Sequence, residues 1–214
     1  MLDLADDVVA VLDELGATRA HVVGFSMGGL VAQAFAVRHP DRLDRLVLAS
    51  TYARISTQAR MFLDAIADLV RQGCSDGTVF GLVGPWLFSD SFVADPSNRA
   101  FLEIPADEAE SYPGNAWLNQ YAAQRQFDGT AAAADILAPT LVLGGGEDHL
   151  IPRADIAYLA EQIPDATISM FEGSGHLINF EESQRFDDEV AAFLALRAPV
   201  PPSCWSKVPR AQRR

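Results

Sequence analysis

The sequence contains few cysteines, few histidines and a single lysine. Of its 214 residues, two are cysteine and four are histidine. Cys74 and Cys204 lie far apart in the chain, and two such cysteines suggest neither a disulfide framework nor the paired spacing of a structural zinc site. This shortage of cysteine is typical of a reducing compartment, and we therefore expect a cytoplasmic protein.

Positive charge is scarce outside the C-terminal end. The formal net charge is −13, from 16 basic and 29 acidic residues. Residues 203–214 hold four of the basic residues and no acidic one, so 12 basic residues face 29 acidic ones in 1–202, a net charge of −17. Such an acidic body repels phosphate backbones, so we expect no nucleic-acid partner. The proline-rich segment 198–214 is predicted to be a disordered tail.

The sequence also lacks a convincing membrane span. Its longest uncharged stretch, 20–37, has 18 residues and includes the polar side chains of His21, Ser26 and Gln33. The stretch changes from strand-like to helical periodicity, which argues against one spanning helix. Met1–Asp3 is not the basic, then apolar, start of a signal peptide. We expect no membrane association, and the oligomeric state stays open.

Hydrophobic periodicity predicts an α/β fold. The first part of the chain reads as helix, strand, helix and strand over 3–15, Ala20–Phe25, 27–38 and 43–49. The alternation resumes with a strand at 140–143, a helix at 153–162, a strand at 167–171 and a helix at 181–196. Alternating elements of this kind form a parallel sheet. The intervening residues, 51–138, are helical in pattern and rich in aromatics, so we predict a core of 1–50 and 139–197 with a helical cap inserted between them.

A serine lies where the first strand turns into a helix, within the segment Gly24-Phe25-Ser26-Met27-Gly28-Gly29. A sharp strand-to-helix turn holds a serine hydroxyl clear of the sheet edge, where it can act as a nucleophile. We expect glycine at 24 and 28 because strand and helix pass too closely for side chains. The N–H of Met27, at the helix N-terminus, is predicted to stabilise an oxyanion.

A serine nucleophile needs a base, and four histidines allow elimination. His21 opens the strand and lies toward the opposite end of the sheet, while His39 ends the following helix on that far side. His149 is adjacent to the best acidic candidate, which is a poor geometry for a proton relay. His176 follows a strand on a glycine loop at the correct end, so it is the predicted base.

The acid that orients this histidine is expected on a third loop at the same end. Gly144–Gly146 follows a predicted strand and precedes Glu147 and Asp148. Asp148 is the predicted acid, with Glu147 as the alternative. The glycine triplet is not followed by Gly-Lys-Ser/Thr, so a tight turn is favoured over a phosphate loop. The chain order Ser, Asp, His is that of the nucleophile-elbow triad.

Taken together, these motifs resemble the α/β-hydrolase family over roughly 1–197, with a cap inserted before the strand of the acid. The matching segments are Gly24–Gly29, Arg38–Arg42, Pro139–Gly144, Asp148 with Pro152, and Gly173–His176. A serine at position 26 argues against haloalkane dehalogenases and epoxide hydrolases, which use an aspartate there. The cap length and Trp86–Ser89 are similar to enol-lactonase and small esterase subgroups.

The resemblance implies a serine hydrolase that cleaves a carboxylic ester or lactone through an acyl-enzyme, without cofactor or metal. The expected partner is a small-molecule substrate, contacted by the cap aromatics Trp86, Phe88 and Trp117. Two alternatives use the same triad, namely a cofactor-free perhydrolase or haloperoxidase and a hydrolase of C–C bonds. A further alternative is an inactive or ligand-binding truncated form that lacks part of the oxyanion hole.

The family pattern also includes about four strands and a helix before the first helix of this chain, roughly 60 residues in all. A loop in that region supplies the second oxyanion donor, often within a His-Gly pair, and the sequence contains no His-Gly pair. From this comparison we expect an N-terminally truncated form. We also expect the strand at 20–25 to be an exposed apolar edge.

Overall fold

The computed structural model describes residues 1–102, 114–195 and 206–207. These residues form one sheet in the order β1-β2-β3-β4-β5. Its strands are β1 (Ala20–Phe25), β2 (Leu43–Ala49), β3 (Thr140–Gly145), β4 (Ala166–Phe171) and β5 (Ser206–Lys207). The first four are mutually parallel and β5 is antiparallel to β4. The predicted parallel α/β architecture is confirmed.

Helices connect the parallel strands. Those near the sheet are α1 (Leu2–Glu14), α2 (Met27–Arg38), α7 (Arg153–Gln162), α8 (Ile178–Glu181) and α9 (Ser183–Leu194). The segment predicted to be a cap holds α3 (Thr57–Arg71), α4 (Asp76–Leu87), α5 (Asp90–Ala94) and α6 (Gly114–Arg125). Short 3-10 turns cover Pro40–Arg42, Pro96–Phe101 and Ala133–Asp135. Within the cap segment, residues 103–113 lie outside the described residues.

The central strands β2 and β3 are buried on both faces, as their uninterrupted apolar runs predict. Leu46, Leu48 and Val142 pack on one face with side chains from α1, α2 and α7. Val47, Leu141 and Leu143 pack on the other face with Phe193 of α9. The sheet therefore lies between two helical layers.

Two of the differences between predicted and observed element boundaries lie next to the predicted site residues. β3 extends through Gly144 and Gly145, because these residues pair with Met170 and Phe171 of β4. The closing helix, predicted over 181–196, is α9, which covers Ser183–Leu194 and follows the short helix α8. Glu182, at φ −128° and ψ 52°, breaks the helical backbone between them.

The two edge strands of the described sheet, β1 and β5, test two further sequence predictions. β1 is an edge strand among the described residues, pairing with β2, and Val23 is 45% exposed there. The predicted apolar edge is confirmed. At the opposite edge, Ser206–Lys207 form a strand where a disordered tail was predicted, and the rest of 198–214 lies outside the described residues. In the described part of the chain, no helix has the length and apolar character needed to cross a membrane.

Candidate active site

Ser26 lies at the sharp turn between β1 and α2. Its backbone has φ +51° and ψ −119°, a conformation that a residue with a Cβ rarely adopts. Hydrogen bonds hold this turn, because the Ser26 N–H donates to the Ala49 carbonyl at 2.8 Å and its own carbonyl accepts from Gly29 at 2.9 Å. Strain of this kind costs about 1–3 kcal/mol and is typical of functional sites.

The tight contacts at this turn involve Gly24 and Gly29. A Cβ on Gly24 would lie 2.6 Å from the carbonyl oxygen of Gly28, and a Cβ on Gly29 would lie 2.5 Å from the Thr51 side chain. A Cβ on Gly28 would meet no atom within 4 Å. The steric prediction is therefore confirmed for Gly24 and wrong for Gly28. The helix meets Thr51, beyond the end of β2, one residue later than the motif suggests.

The structure brings the three predicted catalytic side chains together. His176 Nε2 lies 2.9 Å from Ser26 Oγ, and His176 Nδ1 lies 2.8 Å from Asp148 Oδ2. His176 is 2% exposed and Asp148 is 5% exposed. These residues follow three different parallel strands, whose carboxyl ends meet at one edge of the sheet.

The hydrogen bonds of Asp148 determine which nitrogen of His176 carries a proton. Asp148 Oδ1 accepts from the N–H groups of Leu150 at 2.9 Å and Ile151 at 2.7 Å. Oδ2 faces Nδ1, and an ionised carboxylate can only accept, so Nδ1 is the protonated nitrogen. Nε2 is then the acceptor for the Ser26 hydroxyl, which is the arrangement that a general base needs. The alternative acid, Glu147, is exposed.

Close backbone contacts hold the acid loop against the histidine loop. The N–H of Gly146 donates to the Phe171 carbonyl at 2.7 Å, and that of Glu147 donates to the Ser174 carbonyl at 2.9 Å. A Cβ on Gly145 would lie 1.9 Å from the Gly175 carbonyl oxygen. The glycine triplet therefore permits close approach of two loops, in agreement with the predicted tight turn.

The other histidines lie where the sequence predicts them. His21 is exposed on β1, and His39 at the end of α2 lies 2.9 Å from Asp6 Oδ1. His149 is exposed beside Asp148. Among the described residues, no group of three or more His, Cys, Asp and Glu side chains is arranged to hold a metal ion.

The sequence of this chain matches that of a known protein family. A family model described as the α/β-hydrolase family matches residues 2–192, which is most of the chain. The chain belongs to the α/β-hydrolase family. The resemblance found from the sequence motifs is confirmed, and the protein is a hydrolase and an enzyme of that type.

Several relatives of this α/β hydrolase have names that state an activity. A protein of Variovorax paradoxus (strain S110), provisionally named carbamate hydrolase RutD, is 30% identical over 90% of this chain and 72% of its own length. The 3-oxoadipate enol-lactonase 2 of Acinetobacter baylyi is 30% identical over 89% of this chain and 69% of its own. The crystal structure of the Burkholderia xenovorans LB400 enol-lactonase superposes with a TM-score of 0.78 at 28% identity, covering 91% of this chain and 72% of that one.

The hydrolase positions its predicted oxyanion and substrate residues as follows. Met27 is the first residue of α2, so its N–H has no carbonyl partner within the helix. Phe88 is buried with its ring stacked on Phe92, and its backbone lies against the histidine loop, since a Cβ on Gly175 would lie 2.6 Å from the Phe88 carbonyl carbon. The other two predicted substrate contacts pack within the cap segment: Trp86 stacks on Phe62 at 4.2 Å and Trp117 stacks on Tyr121 at 5.4 Å.

Two residues of the hydrolase that contact the histidine loop were missed by the sequence analysis. Ser50 is fully buried, has φ +47°, and donates from Oγ to the His176 carbonyl oxygen at 2.7 Å. Glu181 accepts a hydrogen bond from the N–H of Gly175 at 3.0 Å. Ser50 directly follows β2 at the sheet edge where Ser26, Asp148 and His176 lie, and that position is a signal that could have identified it.

Proposed function

We propose that this α/β hydrolase is a serine hydrolase that cleaves carboxylic esters or lactones through an acyl-enzyme. The supporting observation is the continuous path from Ser26 Oγ to His176 Nε2 at 2.9 Å and from His176 Nδ1 to Asp148 at 2.8 Å. This path provides a nucleophile, a base in the required tautomer and a carboxylate that orients the base.

In the first half-reaction, Ser26 Oγ attacks the substrate carbonyl carbon while His176 Nε2 takes the hydroxyl proton. The imidazolium that forms is stabilised by the Asp148 carboxylate. The Met27 N–H donates to the developing oxyanion at the helix N-terminus. The C–O bond of the leaving group then breaks, and His176 returns its proton to the leaving alkoxide. In a lactone, that alkoxide remains attached to the acyl group.

In the second half-reaction, water attacks the acyl-enzyme carbonyl and gives a proton to His176 Nε2. The tetrahedral intermediate collapses, Ser26 Oγ takes the proton back from His176, and the carboxylic acid leaves. Each oxyanion donor contributes about 10²–10³ to the rate of such steps. The role of Met27 as a donor therefore has a measurable consequence for turnover.

Carbamates are a second substrate class. The observation that favours them is the name of the Variovorax relative, which is 30% identical over 90% of this chain. A carbamate presents the same trigonal carbonyl to Ser26, although its nitrogen lowers the electrophilicity of that carbon. The same triad would therefore act on both classes, and parallel assays with an activated ester, a lactone and an activated carbamate separate them.

Labelling with a fluorophosphonate tests the proposal. We expect one adduct, mapped by mass spectrometry to Ser26, together with hydrolysis of p-nitrophenyl acetate. In Ser26→Ala, hydrolysis should fall on the order of 10⁶-fold, or to the background rate, because the nucleophile is lost. Ser97→Ala, which alters an exposed serine of the cap segment, is the matched control. Hydrolysis that survives Ser26→Ala would refute the proposal, as would an unlabelled Ser26.

A further inference from the structure

Glu181, the last residue of α8, connects the histidine loop to the turn between α4 and α5 of the cap segment. Its Oε1 accepts hydrogen bonds from the backbone N–H groups of Ser89 and Gly175, each at 3.0 Å. Its Oε2 accepts a hydrogen bond from the Ser89 hydroxyl at 2.5 Å. One carboxylate therefore satisfies three donors, from two segments that are far apart in the sequence.

The backbone reinforces this connection. The N–H of Leu177 donates to the Leu87 carbonyl at 3.0 Å. Gly175 approaches the cap segment so closely that a Cβ there would lie 2.7 Å from the Ser89 nitrogen. Together with the bond from Ser50 to the His176 carbonyl, these contacts hold three consecutive residues, 175–177.

Burial makes the contacts of Glu181 costly to lose. Ser89 is 0% exposed, and Gly175 is buried. Removal of the carboxylate would leave the N–H groups of both residues buried without their acceptor, which is unfavourable. The structure can relieve that cost by moving the loop away from Ser89 to admit water. Such a movement would carry His176 away from Ser26.

We propose that Glu181 is a positioning residue, which holds the loop of His176 against the cap segment so that Nε2 stays in hydrogen-bond reach of Ser26 Oγ. This inference rests on the proposed serine-hydrolase function. A general base must lie about 2.6–3.2 Å from the proton that it abstracts, and a displacement of about 1 Å costs on the order of 10²-fold in rate. Turnover should therefore depend on Glu181 although it does not touch the reacting atoms.

The test compares three variants with the parent chain in the hydrolysis of p-nitrophenyl acetate. In Glu181→Ala, we expect kcat to fall about 10–10²-fold with KM within about threefold, because the base is displaced while the substrate site remains. In Glu181→Gln, we expect kcat within about threefold of the parent. The amide oxygen can accept both N–H groups, and the amide nitrogen can donate to Ser89 Oγ.

Glu182→Ala is the matched control, since Glu182 accepts from the Ser174 hydroxyl at 2.7 Å, one residue before Gly175. We expect its kcat to stay within about threefold of the parent. A second readout is the proton NMR signal of the His176 Nδ1–H bonded to Asp148. This signal should be present in the parent, Glu181→Gln and Glu182→Ala, and weakened or lost in Glu181→Ala.

The outcomes separate the two proposals. A parent that is labelled and active, with Glu181→Ala equally active and its Nδ1–H signal intact, would overturn the positioning role alone. A parent that is neither labelled nor active would refute the serine-hydrolase function, and the NMR comparison would still test the position of His176. If Glu181→Ala does not fold, Glu181→Asp replaces it, because a shorter carboxylate lacks the reach to hold all three donors.

Discussion

Replacement of Asp148 by Asn should reverse the tautomer of His176. Asp148 Oδ1 accepts two backbone N–H groups, from Leu150 and Ile151, so the oxygen of an asparagine must occupy that position. The NH₂ group of Asn would then face His176 Nδ1, where Oδ2 now lies at 2.8 Å. Because the amide nitrogen is a donor, Nδ1 would have to accept and Nε2 would carry the proton.

This reversal has a large expected cost. An Nε2–H group cannot take the proton of Ser26, so the Ser26 hydroxyl at 2.9 Å would lose its base. The equivalent change in a serine protease triad lowers kcat by about 10⁴, with the geometry intact. We expect the same order here, about 5–6 kcal/mol in the activation free energy, since tenfold in rate is about 1.4 kcal/mol. Thermal stability should change little, because the two backbone hydrogen bonds are kept.

The assay measures the rate of fluorophosphonate labelling at Ser26 alongside kcat for p-nitrophenyl acetate. Glu147→Gln is the matched control, since Glu147 precedes Asp148 directly but is exposed. It should label and turn over within about threefold of the parent, as surface substitutions usually do. This pair of variants also decides between the two acids that the sequence analysis considered.

Two results would refute this reasoning. Asp148→Asn that retains more than about a tenth of the parent kcat would show that His176 does not depend on Asp148 for its tautomer. Loss of activity in Glu147→Gln would show that the acid was assigned to the wrong side chain. A folded protein, shown by unchanged circular dichroism, is required for either conclusion.

Three further predictions concern the loops, the core and the sheet edge. Gly145→Ala should lower kcat by about 10²-fold, because its Cβ would lie 1.9 Å from the Gly175 carbonyl oxygen and displace His176. The control is Gly81→Ala on α4, where a Cβ meets no atom within 4 Å, and it should leave kcat unchanged. Burial raises the pKa of the Tyr52 hydroxyl from 10.0 to about 12, so this phenol ionises at a lower pH in the unfolded chain than in the folded protein. The stability that follows from this difference in pKa is therefore lost as the pH rises from about 10 to 12. In urea unfolding, the parent should therefore lose on the order of 1 kcal/mol more than Tyr52→Phe between pH 8 and pH 11, and equal losses would contradict this. Val23→Lys should reduce self-association, because Val23 is 45% exposed on the edge strand β1 and a lysine there would disfavour pairing with a second chain. Light scattering measures this, and unchanged scattering would show that the edge does not drive association.

Much of the fold was predictable because local signals agreed with tertiary packing. The apolar runs at Ala20–Phe25 and Leu43–Ala49 form strands with the predicted bounds. Leu43–Ala49 is central and largely buried, as an uninterrupted apolar run predicts for a parallel strand, while Ala20–Phe25 lies at the edge of the described sheet. The juxtaposition of Ser26, Asp148 and His176 was predictable because parallel strands bring the loops after them to one edge. Elimination among four histidines was then sufficient to choose His176.

Other features depend on contacts that local sequence does not encode. Gly28 was expected to be a steric necessity, but the close neighbour of the helix is Thr51, which approaches Gly29 from the loop after β2. The split between α8 and α9 depends on the backbone of Glu182, within a segment whose periodicity reads as one helix. Packing between residues far apart in the sequence therefore decided which glycine of the Ser26 turn must lack a side chain.

The sequence by itself determined the α/β alternation, the turn that carries Ser26 and the order of the three predicted catalytic residues. These follow from periodicity, glycine placement and chain order, which are local properties. Only the tertiary structure decided that Asp148 rather than Glu147 faces His176, and that Ser50 and Glu181 hold the histidine loop. The physical reason is that a hydrogen bond requires atoms within about 3 Å, and folding alone brings together residues from separate strands and loops.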